Sequence, residues 1–215
     1  MTRSRLISLA GVVADDNLIV TSVTPAAGGV QSFTIAAQPP QAIIIDIDCT
    51  GNEVARTFIV SGTDRVGNAI TESVTGVNGS VAQTTKQFET ITGITVDDDT
   101  ADAIKIGHAA VVYSGWFPMN TYGEDADATV AVKVTGTVNF DLQYTFEDLQ
   151  DQRTAARTDV PYGDYEMTVD TFTDATIDGD TADVAIALSL RPTGIRFIMN
   201  SGAGSIAARV LQAYA

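Results

Sequence analysis

The stretch from Val130 to Phe146 constrains the fold of this chain more than any other. Its even positions are apolar or glycine, whereas its odd positions are small or polar. This alternation is typical of a β-strand with one buried and one solvent-facing side, because successive side chains point to opposite faces. Unbroken, the strand would span roughly 56 Å at about 3.3 Å per residue, which exceeds an ordinary strand. Because an interior glycine marks a bend or a passage between sheets, we predict a break at Gly136.

The composition favours the same structural class throughout the chain. Hydrophobic residues make up 45% of the sequence and charged residues 18%, which indicates a chain with a substantial core. Val, Ile and Thr are abundant, and 18 glycines supply turns. Apolar residues at helical spacing are not sustained beyond a turn or two. We therefore predict an all-β protein with two β-sandwich-like domains of short antiparallel strands. Turn residues predict a hairpin that joins Ala55–Ser61 to Ala69–Thr75, and Asn200–Gly204 predicts a second hairpin that ends with the strand Ser205–Gln212.

Breaks in the strand pattern suggest the domain organisation. An aromatic group, Trp116 to Met119, is followed by a polar stretch, which is typical of a linker with aromatic residues packed between domains. The same aromatic group could instead contact another subunit. The predicted segments are an N-terminal extended arm (1–13), a first sandwich (14–115), a linker (116–127) and a second sandwich (128–215) with a long loop (148–183). A signal peptide is a weaker interpretation of the N-terminal residues, because their apolar run is short and interrupted by polar residues.

Charge and cysteine content narrow the classes of partner. The chain carries 27 acidic and 12 basic residues, a formal net charge of −15. Such a surface repels phosphates and anionic lipid, so we expect no direct binding of nucleic acid or membrane. Cys49 is the single cysteine and alternates with isoleucines, which predicts a buried free thiol and excludes an intrachain disulfide.

Candidate chemistry is sparse. His108, the single histidine, follows two isoleucines on one strand face and is interpreted as a packed residue. The densest group of carboxylates consists of Asp97, Asp98, Asp99 and Asp102. These residues are weak candidates for calcium, since loop oxygens suit that ion, but they lack the spacing of an established calcium loop. We expect no catalytic residue and no cofactor, with calcium as the alternative.

Several segments resemble small β-rich structural proteins of tailed bacteriophage virions. The resemblance lies in Gly62–Gly76, Phe88–Val96, Val134–Phe146 and Thr193–Gly204, and the opening Ala14–Asp16 and Thr24–Gly28 also fit the pattern. It implies a non-enzymatic virion protein, assembled in the host cytoplasm, of the head decoration, minor capsid or tail-associated type.

The resemblance leads to a functional hypothesis. We expect a decoration or cement protein that contacts the major capsid protein or other virion proteins in many copies, as a homo-oligomer. The alternatives are a tail-fibre, head–tail junction or carbohydrate-binding module, and a secreted calcium-dependent adhesin is a weaker one. The residues expected at interfaces are Arg3, Arg5, Leu6, Ile7, Trp116, Phe117, Met119, Tyr162 and Tyr165.

Overall fold

A computed structural model describes residues 2–119, 128–147, 149, 170–188 and 190–213. Nearly all regular structure in these residues is β, and the strands pair in an antiparallel manner. The predicted all-β class is therefore confirmed. No helix within the described part of the chain has the length and apolar character needed to span a bilayer.

The chain divides into two compact units. The discontinuous unit combines Met1–Val13 with Ala110–Ala215, and the inserted unit consists of Ala14–Ala109. The N-terminal residues, which were predicted to form a separate arm, group with the C-terminal half in the discontinuous unit. The linker predicted at 116–127 lies in this unit too, and its residues 120–127 are outside the described ones.

The discontinuous unit contains two sheets, whose strands are numbered in chain order. Sheet I has the order β1 (Thr2–Ala10), β17 (Ser205–Ala213), β12 (Ala128–Thr135) and β15 (Val184–Leu188). Sheet II has the order β10 (Val112–Tyr113), β16 (Gly194–Ser201), β13 (Asn139–Thr145) and β14 (Phe172–Thr173), and β11 (Phe117–Pro118) also pairs with β16. The buried faces carry Val130, Phe140, Leu142, Phe197 and Ile206, among other apolar residues.

The break at Gly136 is confirmed, because β12 lies in sheet I and β13 in sheet II. Gly136 has a φ of 80°, a left-handed conformation that glycine adopts without the strain of a side chain. The hairpin predicted between the strands around Gly204 is wrong, since β16 belongs to sheet II and β17 to sheet I. This second crossing lies against the first, where the Gly204 N–H donates to the Thr137 carbonyl at 2.9 Å. An alternating pattern identifies strands, but it does not tell a hairpin from a crossing between sheets.

The inserted unit also contains two sheets. Sheet III has the order β2 (Asp15–Val23), β9 (Ile104–His108), β4 (Ile43–Asn52) and β7 (Asn78–Phe88). Sheet IV has the order β3 (Gln31–Ser32), β8 (Thr90–Val96), β5 (Thr57–Thr63) and β6 (Ala69–Thr75). The predicted hairpin of β5 and β6 is confirmed by their continuous register. Cys49 is free and fully buried with the isoleucines of β4, as predicted.

Candidate assembly surfaces

The clustered aspartates of the inserted unit hold a neighbouring loop. Asp98 accepts a hydrogen bond from the backbone N–H of Gly29 at 2.9 Å, and Asp99 accepts one from that of Gly28 at 2.6 Å. The side chain of Gln31 donates a further bond to Asp99 at 2.7 Å. Hydrogen bonds from the backbone N–H groups of Asp99 and Gly29 lower the pKa of Asp98. These two carboxylates therefore stabilise a glycine turn.

The other two members of the cluster are held by their backbone. The N–H of Asp97 donates to the Thr57 carbonyl at 3.2 Å, and the N–H of Asp102 donates to the buried Glu53 carboxylate at 3.0 Å. Among the described residues, three or more acidic, histidine or cysteine side chains nowhere converge as metal ligands would. His108 is buried, and its Nδ1 lies 2.9 Å from the Ala109 carbonyl oxygen, to which it can donate.

The proposed arm residues lie in β1, which pairs with β17 over its full length. Ile7, a predicted contact residue, is only 2% exposed and belongs to the core. Leu6 lies on the opposite face and is 61% exposed, and Arg5 is exposed as well. Arg3 occupies the register position opposite Gln212. The arm is a strand because its alternating apolar residues complete the buried face of sheet I.

The aromatic group at Trp116 is also part of the discontinuous unit. Trp116, a predicted interface residue, is 1% exposed, so its ring lies in the core of the unit. The guanidinium of Arg196 lies 4.7 Å from the centre of this ring and 4.9 Å from that of Tyr113, within cation–π range. Burial lowers the pKa of Arg196. The segment around Trp116 is stabilised because the buried ring and the guanidinium of Arg196 stack on each other and shield each other from water.

The remaining aromatic candidates have different positions. Phe117 pairs with Ile195 in β11 and is half-buried, and the N–H of the half-buried Met119 donates to the Thr193 carbonyl at 2.8 Å. Both residues are therefore fastened to sheet II through their backbone. Tyr162 and Tyr165 lie outside the described residues.

An exposed aromatic cluster, formed by Tyr144, Phe146 and Phe172, was missed by the sequence analysis. The rings of Tyr144 and Phe172 stack with centroids 5.8 Å apart, and the ring of Phe146 lies 5.5 Å from that of Tyr144 and 5.7 Å from that of Phe172. Phe146 is 45% exposed and Phe172 48% exposed. Large apolar rings exposed side by side commonly mark a contact surface.

The cluster arises where the burial pattern of β13 changes. Phe140 and Leu142 are fully buried, but at the end of the strand Thr145 is buried whereas Tyr144 is half-exposed. The Thr145 carbonyl accepts bonds from the N–H of Thr193 at 2.9 Å and from its hydroxyl at 3.0 Å. Uniform alternation assigned Tyr144 and Phe146 to the core. Nothing in the sequence placed Phe172 beside them, since it lies in a region without a regular pattern.

The two edges of sheet I are open among the described residues. The edges are β1 and β15, and no described strand pairs with their outer sides. β15 consists of Val-Ala-Ile-Ala-Leu and contains neither a charge nor a proline, the devices with which natural sheets protect an edge. Lys133 and Asp183 form an ion pair beside β15, and the hydrogen bond from Lys133 lowers the pKa of Asp183. The sheet is thus unprotected along a fully apolar edge strand.

The edges of the inserted unit carry more protection. Glu72 of β6 accepts bonds from the backbone N–H groups of Thr85 at 2.7 Å and Lys86 at 2.8 Å on the edge strand β7. The Thr85 hydroxyl donates to the same carboxylate at 2.9 Å. The opposite edge, β2, begins with two aspartates, and Asp16 pairs with Lys105 at 3.0 Å. Both edges of sheet III therefore carry charges that oppose pairing with another strand.

No protein-family model matches the chain, and no curated protein is similar to it in sequence. Among solved structures, the chain is similar to the major capsid protein P2 from bacteriophage PM2, with 10% sequence identity and a TM-score of 0.23. The alignment covers 99% of this chain and 98% of the capsid protein. This TM-score is too low to indicate a common fold.

Proposed function

We propose that this chain is a non-enzymatic structural protein of a bacteriophage virion, and that it decorates or cements the capsid. In this role, each copy adds buried interface to the joints between shell subunits, and many copies make modest contacts additive. The virion assignment rests on the resemblance of the turn and strand segments to phage structural proteins. The partner is then the major capsid protein or another virion protein.

The exposed aromatic cluster is the observation that supports an adhesive role. Three adjacent rings at one end of sheet II offer a rigid apolar contact surface, and aromatic anchors often provide much of the binding energy of an interface.

Labelling of intact particles tests the location. Gold-labelled antibody against the chain, viewed by negative-stain microscopy, is expected to be scattered over the heads. Gold confined to the tail, its base or its fibres would contradict decoration and favour a junction or receptor-binding role. Mass spectrometry of purified particles checks whether the chain is present when no gold is seen.

Substitution of the cluster tests the contact surface. Phe146→Ala combined with Phe172→Ala is expected to weaken binding to particles at least tenfold, a loss of about 1.4 kcal/mol or more. Val30→Ala is the matched control, because Val30 is an exposed apolar residue of the inserted unit. Equal binding by the double variant and the control would reject the aromatic cluster as the capsid contact.

A carbohydrate-binding tail module is the second candidate, and the same exposed rings favour it, because sugar faces stack on aromatic side chains. Trp116 is buried and offers no such platform. Binding of host surface polysaccharide that is lost with Phe172→Ala, together with gold at the tail, would support this role over decoration. Particle binding without polysaccharide binding would support decoration.

A further inference from the structure

Sheet I has two open edges among the described residues, β1 and β15. Three antiparallel pairings separate them, so β1 and β15 run in opposite directions. Two copies placed side by side in the same orientation therefore bring β15 of one next to an antiparallel β1 of the other. Sheet I has the geometry needed to continue from copy to copy.

The backbone groups that face outward can be identified from two hydrogen bonds. Val134 is an even-numbered residue of β12, and its N–H donates to the Asp183 side chain at 2.7 Å. Because Asp183 directly precedes β15, the backbone N–H of this even residue points toward β15. Along an antiparallel strand, the backbone groups of successive residues point alternately to the two neighbouring strands. The even residues of β12 therefore form backbone hydrogen bonds with their register partners in β15, which are also even. The outward groups of β15 are then those of Ala185 and Ala187.

The same alternation extends across the sheet to β1. Odd residues of β12 bond to odd residues of β17, and even residues of β17 bond to odd residues of β1. The bond from the Gly11 N–H to the Gly204 carbonyl at 2.8 Å agrees with this assignment. The outward groups of β1 consequently belong to even residues, including Ser4, Leu6 and Ser8.

The directions of the side chains also favour pairing odd residues of β15 with even residues of β1. Leu6, Arg209, Ala131 and Ala185 form one row across the sheet. Leu6 and Ala185 are both exposed at the ends of this row, on the outer face of sheet I. An odd residue of β15 can therefore lie opposite an even residue of β1 in a neighbouring copy. In this register the outward N–H and C=O groups of both strands form hydrogen bonds, and the exposed side chains stay on the same face of the sheet.

We propose that β15 of one copy pairs with β1 of a second copy of this chain, so that sheet I continues across a head-to-tail assembly. One interface covers both open edges, and a heterologous contact of this type closes into a ring when the rotation between copies permits. Pairing of β1 with itself would bring Arg3 and Arg5 of two copies into one strand pair, whereas β15 carries no charge. Pairing of β15 with itself would leave β1 open.

This assembly is a property of the purified chain and is independent of the proposed capsid role. The test is disulfide trapping with Ala185→Cys combined in turn with Ser4→Cys, Leu6→Cys or Ser8→Cys. Within one chain, three strand spacings of about 4.8 Å separate residue 6 from residue 185, which is too far for a disulfide. Cys49 is fully buried and remains in place.

Mild oxidation of at least one of these double variants is expected to give a ladder of multiples of 22.6 kDa on a non-reducing gel. The ladder is expected to collapse on reduction. Arg5→Cys with Ala185→Cys is the matched control, because residue 5 is odd-numbered and the proposed register places only even residues of β1 opposite residue 185. This variant is expected to remain at 22.6 kDa.

Three results would overturn the proposal. The first is the absence of a ladder in all three matched double variants while the thermal unfolding of each remains like that of the wild-type chain. The second is equal crosslinking by the Arg5 control. The third is a crosslinked dimer from Leu6→Cys alone or from Ala185→Cys alone, which would indicate self-pairing of β1 or of β15. A failure here with gold on the heads would reject the edge pairing and retain the capsid role.

Discussion

The discontinuous and inserted units are built alike in their interiors and differ at their edges. Both bury apolar and aromatic residues on paired antiparallel sheets, such as Phe197 in sheet II and Phe58 in sheet IV. On the edge strand β7, the carboxylate of Glu72 occupies backbone N–H groups. β15 has no comparable device among the described residues.

The difference separates what stabilises a β-fold from what limits its association. Burial of apolar side chains stabilises both units. Protection of an edge adds little to the core but determines whether a second strand can add to the sheet. A protein that assembles can therefore leave one pair of edges open and protect the others.

The largest expected effect tests whether the two interiors are equivalent. Phe58→Ala and Phe197→Ala each remove a fully buried ring, and each is expected to lower the free energy of unfolding by about 3–5 kcal/mol. Urea unfolding followed by circular dichroism measures both. Phe172→Ala is the exposed control, and a core substitution that cost no more than this control would show that the interiors differ.

The next effect tests the protected edge. Glu72→Ala leaves the N–H groups of Thr85 and Lys86 without their acceptor, so the free energy of unfolding is expected to fall by about 1–3 kcal/mol. The variant is also expected to self-associate more than the wild type, because β7 becomes an open edge. Analytical ultracentrifugation and urea unfolding measure the two results.

Glu89→Ala removes the same charge from the neighbouring turn and serves as the control for Glu72→Ala. The proposed role of Glu72 in preventing strand pairing at β7 would be contradicted if the Glu72 variant self-associated no more than the wild type. It would also be contradicted if the two variants self-associated equally.

A smaller effect concerns the loop that Asp98 stabilises. The pKa of Asp98 is lower in the folded chain than its ordinary value of 3.8. The ionised carboxylate therefore stabilises the fold fully above that value, and this contribution is lost as pH falls through the folded pKa. Asp98→Asn is expected to lower the melting temperature slightly at neutral pH, and the difference from the wild type should disappear in acid. A difference that does not change with pH would argue against the ionised carboxylate.

The smallest expected effect concerns calcium. If Asp97, Asp98, Asp99 and Asp102 serve the loop alone, calorimetry is expected to give one melting temperature with added calcium and with EDTA. A ligand that binds the folded state raises the melting temperature by mass action. A calcium-dependent rise that Asp98→Asn abolishes would instead establish a site at these residues.

Some contacts could be read from the sequence and others could not. The alternation of Ile43, Ile45, Ile47 and Cys49 predicted a buried strand face, and the structure confirms it. Trp116 could not be assigned, because its burial depends on Arg196, which is 80 residues away in the chain. The aromatic cluster was missed for a similar reason, since Phe172 meets Tyr144 only through the pairing of β14 with β13.

The sequence by itself determined the all-β class, the break at Gly136 and the β5–β6 hairpin. These features depend on local properties, namely the alternation of side chains along a strand and the conformational freedom of glycine. Only the tertiary structure decided that β1 joins β17, that β16 and β17 lie in different sheets, and that β1 and β15 remain as edges. Strand partners are chosen by burial and hydrogen bonding between distant segments, and a period of two leaves that choice open.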